Sequence, residues 1–223
     1  MEKMPYQAGA DAEPIVATVP VVGEPAKAIA TWRYGLSPIR GSMVTLREMR
    51  RADATALFAA LTAEETSRFI SPPPTTVDGF ERFIAWARRQ REAGQYVCFA
   101  VVPKDSDVAI GLFQIRALDP DFGVGEWGFA IASEFWGSGV FVDGAKLVLD
   151  FAFATIGVHR LEARAATVNG RGNAALRKIG ATRECVLRKS FLRCGEWFDQ
   201  ALWTLLRDDW LAAKTVWGSL VIH

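Results

Sequence analysis

From residue 42 onward the apolar positions of the chain keep one of two periods. Residues 43–47, Met-Val-Thr-Leu-Arg, alternate and predict a short strand. Asp53 precedes a run to residue 63 and predicts a capped helix. Pro72, Pro73 and Pro74 stop any helix and impose a rigid bend. Phe80, Phe83, Ile84 and Ala87 recur at three-four spacing within residues 77–93, a second helix that Gly94 ends. Residues 96–102 and 108–118 read as a hairpin turning at 103–107, and residues 126–132 as the next strand.

Beyond residue 136 the pattern changes. Gly137 and Gly139 open a helix over 141–155 that is apolar nearly all round. Only Asp143, Lys146 and Asp150 form a wet stripe on it, so it is expected to pack against the sheet. A strand over 160–166, a helix over 172–179, a hairpin of 187–192 with 198–206 and a short helix over 207–217 complete the series. Residues 1–41, rich in Ala, Pro, Gly and Val, keep neither period. They read as an extension that wraps the domain surface or is partly mobile. The expected division is an extension at 1–41, a domain at 42–207 and a C-terminal helix and tail at 208–223, without internal repeats.

Composition narrows the function. A chain of 223 residues, half of them hydrophobic, has enough apolar material for one full-sized core. A formal net charge of +1 argues against a general nucleic-acid binder. Three cysteines without C-x-x-C spacing and two histidines argue against a disulfide framework and a zinc site, so no metal is expected. Glu13, Pro14, Pro20 and Glu24 interrupt what a signal peptide would need, and no run of about 18 apolar residues is available to span a membrane. The expected location is cytoplasmic, with no nucleic acid or membrane as partner.

The glycine turn is the clearest chemical signal. Glycines free backbone N–H groups that a Cβ would obstruct, and the following helix adds positive charge at its N-terminus. That combination is a phosphate cradle. A Rossmann fingerprint would need its third glycine at Val142, and a Walker loop would need Lys directly after Gly144, where Ala145 stands. Neither fits.

Further residues point elsewhere: Glu126-Trp127-Gly128-Phe129-Ala130-Ile131, Trp136-Gly137-Ser138-Gly139, Ala152-Phe153, Gly157-Val158-His159-Arg160, Asn169, Gly180 and Trp197-Phe198-Asp199. In this order, across about residues 42–207, they resemble the GNAT-type N-acetyltransferases of the RimJ/RimL branch. The resemblance implies an α/β (α+β) fold, a mixed and mostly antiparallel sheet with helices on both faces. The strand of Glu126 and the strand beginning at Arg160 would splay apart to admit pantetheine. It implies acetyl-CoA as acyl donor, cradled by Trp136, Gly137, Ser138, Gly139, Val140 and Phe141 and by backbone at Phe129, Ala130 and Ile131. It also sets Asn169 beside the pantetheine arm, although Asn169 reads equally as a helix cap. Arg171, Arg177 and Lys178 read either as a solvated helix face or as partners of the coenzyme's 3'-phosphate.

The chain departs from the family at several places. Phe141 stands where Ala or Gly is preferred, so its ring must point away from the phosphates. Gly172 replaces a Ser, Ala181 a Phe, and Phe191 lies near the place of a Glu. That Ser and that Glu act in catalysis in some members, and neither role carries over here. Glu126 remains as the candidate base, against the plainer reading of a salt-bridged strand residue. Trp127, Trp197 and Phe198 are candidates for an acceptor pocket, against the plainer reading of core aromatics. His159 reads as structural, Cys185 and Cys194 as incidental thiols, and no tyrosine is assigned as acid. The expected activity is acetyl transfer to a primary amine, a peptide or protein N-terminus ahead of a small molecule or antibiotic. A CoA-binding module without catalysis, an interaction protein and a homodimer stay open.

Overall fold

The computed structural model describes residues 31–219, so the expected behaviour of residues 1–30 and of 220–223 lies outside the described residues. The strands are β1 (Ile39–Arg40), β2 (Val44–Glu48), β3 (Tyr96–Pro103), β4 (Gly111–Ala117), β5 (Val124–Ile131), β6 (Arg160–Ala166), β7 (Thr182–Arg193) and β8 (Glu196–Leu206). The helices are α1 (Ala54–Thr62), α2 (Glu64–Ser67), α3 (Val77–Glu92), α4 (Val140–Asp150), α5 (Gly170–Lys178) and α6 (Arg207–Ser219). One eight-stranded sheet runs β1-β2-β3-β4-β5-β6-β8-β7. Only β5 and β6 pair in parallel, because the chain crosses one face through α4 between them.

Strand alternation builds two cores, one on each face. On β3, Val97, Phe99 and Val101 join Val148, Leu149 and Trp210 of α4 and α6. Tyr96, Cys98, Ala100 and Val102 join Leu57, Phe80 and Ile84 of α1 and α3 on the other face. The first core continues to Ala163 and Ala165 of β6 and Trp203 of β8, whereas the second reaches only Ala130 of β5. The α1/α3 face of β5, β6 and β8 is therefore left uncovered by that core.

The β5–β6 pair opens as expected. Val124, Gly125 and Glu126 pair with Arg160, Leu161 and Glu162, and the pairing stops there. Trp127–Ile131 stay bonded to β4 alone, so a gap widens toward the end of β5.

Four expectations change. Residues 31–41 are not a surface wrap: Trp32 and Leu36 are buried in the first core, and β1 pairs with β2. Buried Arg91 fastens them, giving Nη1–H bonds to the carbonyls of Trp32 and Arg33 and an Nε ion pair of 2.9 Å with Glu48. Asp53 stands at the start of α1 without capping it, because its carboxylate accepts from Arg47 at 2.7 and 2.8 Å and from the Arg50 N–H at 2.7 Å. The expected helix over 141–155 ends at Asp150 and continues as a π-helix, Phe151–Ile156. Its wet stripe is a set of tethers: Asp143 holds the chain at Ser42–Val44, and Asp150 accepts from Trp210 Nε1–H at 2.8 Å and Lys214 at 2.8 Å.

Candidate active site

The glycine loop follows β5 through a 3-10 turn, Ser133–Phe135. Trp136 Nε1–H donates to Ile131 O at 2.8 Å and anchors the turn. Gly137 and Gly139 hold φ of +79° and +95°, a left-handed backbone that a Cβ disfavours. A Cβ on Gly137 would meet no atom within 4 Å, so its backbone conformation rather than crowding calls for glycine there. Gly139 caps α4 without a side chain, and Val140 N–H donates to Ser138 Oγ at 3.4 Å, which leaves the N–H groups of Phe141 and Val142 to be presented by the first turn. The Phe141 ring lies against the sheet, 4.5 Å from the Phe129 ring, and clears the loop as its bulk requires.

Across from α4 stands the N-terminus of α5. Asn169 caps it, its Oδ1 accepting from Gly172 N–H at 2.9 Å. A Cβ at Gly172 would come within 2.5 Å of Asn169 Nδ2, so the family's serine there would require the Asn169 side chain to shift from this position. The Arg171 guanidinium covers the Trp136 ring at 4.5 Å and joins α5 to the loop. Between these elements lies a cleft of about 980 Å³ whose walls include Gly137, Gly139, Phe141, Asn169, Arg171 and Lys178. The residues fit a coenzyme with phosphates: left-handed glycines, two helix N-termini, an arginine and a lysine.

Asp143 sits in the first turn of α4, where a carboxylate facing the cleft would oppose a phosphate. It faces away, accepting from the N–H groups of Ser42, Met43 and Val44 and from Ser42 Oγ–H. Burial alone would raise its pKa, and these donors overcome that and hold it below the ordinary carboxylate value.

A second cleft, about 760 Å³, opens on the face that α1 and α3 leave uncovered. It shares Phe69, Ile70, Phe129, Ala130, Asn169 and Gly172 with the first, so the two meet where β5 and β6 part. Backbone alternation decides what β5 offers at that junction. Ala132 N–H donates to Ile110 O at 2.8 Å and Leu118 N–H to Val124 O at 2.9 Å, so the even-numbered residues of β5 bond to β4. Phe129 and Ile131 therefore turn their N–H groups toward the gap, and Ala130 turns its own toward β4.

The wall of the second cleft carries a polar row across three strands: Gln114 and Arg116 on β4, Glu126 on β5 and Arg164 on β6. Arg116 Nη2 hydrogen-bonds Glu126 Oε2, and Arg164 Nε lies 3.8 Å from Glu126 Oε1. The Tyr96 phenol donates to Gln114 Oε1, and burial pushes its pKa well above the ordinary value. Cys98, fully buried on the same strand, is pushed up to about 12 and stays a thiol.

The β7–β8 hairpin and the segment after α2 meet over this cleft. Arg193 Nη2–H donates to Ser67 O at 3.1 Å, and Phe198 meets the Phe69 ring edge-on at 6.4 Å.

Several expected site residues fall elsewhere. Arg177 lies over the Trp203 ring, 6.0 Å away, and is not on the cleft wall, whereas Lys178 is. Trp127 borders the second cleft, but its ring is buried in the α4-side core, stacked on Phe113 at 6.4 Å. Trp197 is half exposed on β8 and lines neither cleft. Phe198 supports Phe69 from behind. Ser138 turns its hydroxyl onto Phe135 O at 2.7 Å, and Val140 is buried. Unanticipated wall residues are Glu65, Arg68, Phe69 and Ile70 after α1, and Gln114, Arg116 and Arg164 on the strands. The strand residues carried one overlooked signal: polar side chains at alternate places in otherwise apolar strands.

Comparison with known proteins agrees with this geometry. Residues 43–182, more than half of the chain, match the acetyltransferase (GNAT) domain. The uncharacterized N-acetyltransferase p20 of Bacillus licheniformis is 24% identical over 168 residues, 75% of this chain and 94% of that protein. A GCN5-related N-acetyltransferase from Brucella melitensis superposes with a TM-score of 0.71 at 23% identity, over 82% of this chain and 84% of that one. Mycobacterium smegmatis RimJ in complex with CoA-disulfide gives 0.67 at 20% identity, over 80% of this chain and 94% of that one. At such identities the two structures speak for the fold, and the domain match carries the assignment: the chain belongs to the GNAT family of acetyltransferases.

Proposed function

We propose that the glycine-loop cleft takes acetyl-CoA, that the second cleft takes a primary amine, and that the favoured amine is the N-terminus of a peptide or protein. The observation that carries this reading is the meeting of the two clefts at Phe129, Ala130, Asn169 and Gly172. When bound, acetyl-CoA supplies an activated thioester. The first-turn N–H groups of α4, with Arg171 and Lys178, hold its phosphates. The N–H groups of Phe129 and Ile131 face the gap and stabilise negative charge developing on the acyl oxygen.

The amine must lose a proton to attack. Glu126, through bridging water, is the proposed acceptor, and to act it exchanges part of its contact with Arg116 for that water. The acceptor's own acidity reduces the demand on this base. An α-amine near pKa 7.8 is roughly one-third neutral at pH 7.5, whereas a lysine near 10.4 is only about 0.1% neutral. A site whose candidate base is a carboxylate, with no stronger base assigned, suits the first better than the second.

The test is acetyl-CoA consumption against a panel of N-terminal peptides, acetyl-blocked lysine peptides and small amines, followed as a function of pH. The reading expects the free N-terminal peptides to lead, with a rate that levels off above about pH 8–9 as the α-amine becomes neutral. A rate that keeps climbing past about pH 10 would assign a lysine instead. Acetyl-CoA binding without turnover of any amine would make the protein a CoA-binding module.

A further inference from the structure

The acceptor cleft carries the wrong charge for a simple cation. Its charged wall residues are Arg116, Arg164 and Glu126, two cations and one anion, for a net +1. A protonated amine arriving from water is itself a cation, so the cleft repels it unless the acceptor brings an anion. The two arginines are placed to meet one. Arg116 is the cross-strand partner of Glu126 on β4, and Arg164 lies two residues beyond Glu162, the β6 partner of Glu126, on the same face. Their side chains are 58% and 39% exposed, against 22% for Glu126 between them. Arg116 gives Glu126 one nitrogen, and Arg164 approaches it only at 3.8 Å. Among the described residues neither arginine has another ion pair. A guanidinium has five N–H donors in a planar fork suited to carboxylates, so most of that capacity is unspent.

We propose that Arg116 and Arg164 form a reader for a carboxylate on the acceptor, and that the acceptor is a peptide N-terminus with Asp or Glu at its second or third residue. This rests on the reading that the amine enters this cleft. The acceptor carboxylate completes a neutral set of two cations and two anions. Spacing sets the position. Glu126 and Phe129 are three residues apart on β5, about 10 Å at the rise of a strand. An amine at the Phe129 end of the cleft, on an extended peptide advancing about 3.3 Å per residue, puts the side chain of residue two or three within reach of the arginine forks. The shared chemistry is an amine with a carboxylate held several ångströms away, which a small amino acid of suitable length also provides.

The test is steady-state CoA release at saturating acetyl-CoA. The acceptors are C-terminally amidated Ala-Ala-Ala-Ala, Ala-Asp-Ala-Ala, Ala-Ala-Asp-Ala and Ala-Lys-Ala-Ala, with ε-aminocaproate and its amide as the small-molecule arm. The acidic peptides should exceed the all-alanine peptide in kcat/KM by about tenfold or more, the size of a partly desolvated charge pair. The lysine peptide should fall below it. In Arg116→Gln and in Arg164→Gln the acidic-to-neutral ratio should shrink toward one, and Arg164→Lys should keep part of it. Raising salt to about 0.5 M should compress the native ratio, because exposed arginines are screened.

Equal rates for acidic and neutral peptides, or a ratio that survives in both glutamine variants, overturn the proposal. Turnover of ε-aminocaproate but not its amide, with no peptide acetylated, overturns the peptide as source and keeps the carboxylate reader. If acetyl-CoA binds and none of the six acceptors nor any lysine peptide is acetylated, the failure belongs to the acyltransfer reading.

Discussion

The two clefts on either side of the β5–β6 gap are built from different material. The proposed cofactor cleft is organised around backbone features, namely two left-handed glycines, the N-termini of α4 and α5 and the inner edge of β5, with side chains such as Trp136, Phe141 and Arg171 around them. The proposed acceptor cleft is lined by side chains from the segment after α2, from β4, β5 and β6, and from the β7–β8 hairpin. Backbone cradles need glycine at fixed places and tolerate much change around them, whereas side-chain walls can be redrawn one substitution at a time. One fold can thus keep a single acyl donor while changing its acceptor.

Separating chemistry from cofactor binding gives the largest expected effect. Glu126→Gln keeps size and hydrogen-bonding reach but cannot take a proton, so turnover should fall at least about 100-fold. The rise in melting temperature given by acetyl-CoA should not change, since Glu126 lines only the acceptor cleft. Raising the pH should restore part of the lost rate, because more of the amine is then neutral. Near-native turnover in the variant would reduce Glu126 to a holder of Arg116 and Arg164.

A smaller effect is expected where the cofactor cleft is braced. Asp143 receives three backbone donors and a hydroxyl, and removing it leaves those groups without their acceptor. Asp143→Ala should cost roughly 1–3 kcal/mol in urea unfolding. The pKa of this carboxylate is lower in the folded state, so its contribution is complete above the ordinary value of 3.8 and is lost as pH falls through the folded pKa. The gap between native protein and variant should hold steady from about pH 5 to 7 and close in stronger acid. A gap that widens in acid would contradict the assigned hydrogen bonds.

The smallest effect concerns the thiols. Cys185 and Cys194 are exposed, while Cys98 is buried with its pKa pushed up to about 12. A thiol reagent at neutral pH should label two cysteines promptly and the third only on unfolding. Prompt labelling of Cys98, blocked by an acceptor peptide, would bring a nucleophile into the acceptor cleft and break the division between the clefts.

The same contrast explains what could be read from the chain alone. The individual strands and helices follow from local periods, which survive without knowledge of the contacts, whereas the mixed sheet with helices on both faces and the splayed pair were implied by the resemblance that the ordered motifs carry. The glycine loop was legible because positive φ demands glycine. Arg116 and Arg164 were not, because each is an ordinary charged residue until the register of β4, β5 and β6 brings them to one carboxylate. Phe69 and Ile70 belong to a segment without periodicity, and only the fold carries them to the junction of the clefts. Arg177 and Lys178 are neighbours on one short helix. A rotation of about 100° per residue sends the first to Trp203 and the second to the wall of the first cleft. Trp127 shows the limit of reading aromatics: its ring packs under α4, opposite the cleft it was expected to line.

The division of labour between the clefts is tested most directly by calorimetric titration of acetyl-CoA into three proteins: native, Gly139→Val and Arg116→Gln. Valine at residue 139 must hold φ near +95° and place its Cβ 3.1 Å from Met43 Sδ, so the loop cannot keep its shape. The account predicts acetyl-CoA affinity at least about tenfold weaker for Gly139→Val. For Arg116→Gln it predicts a value within about twofold of native, well under 1 kcal/mol. Equal weakening of both variants, or native affinity in Gly139→Val, would contradict it.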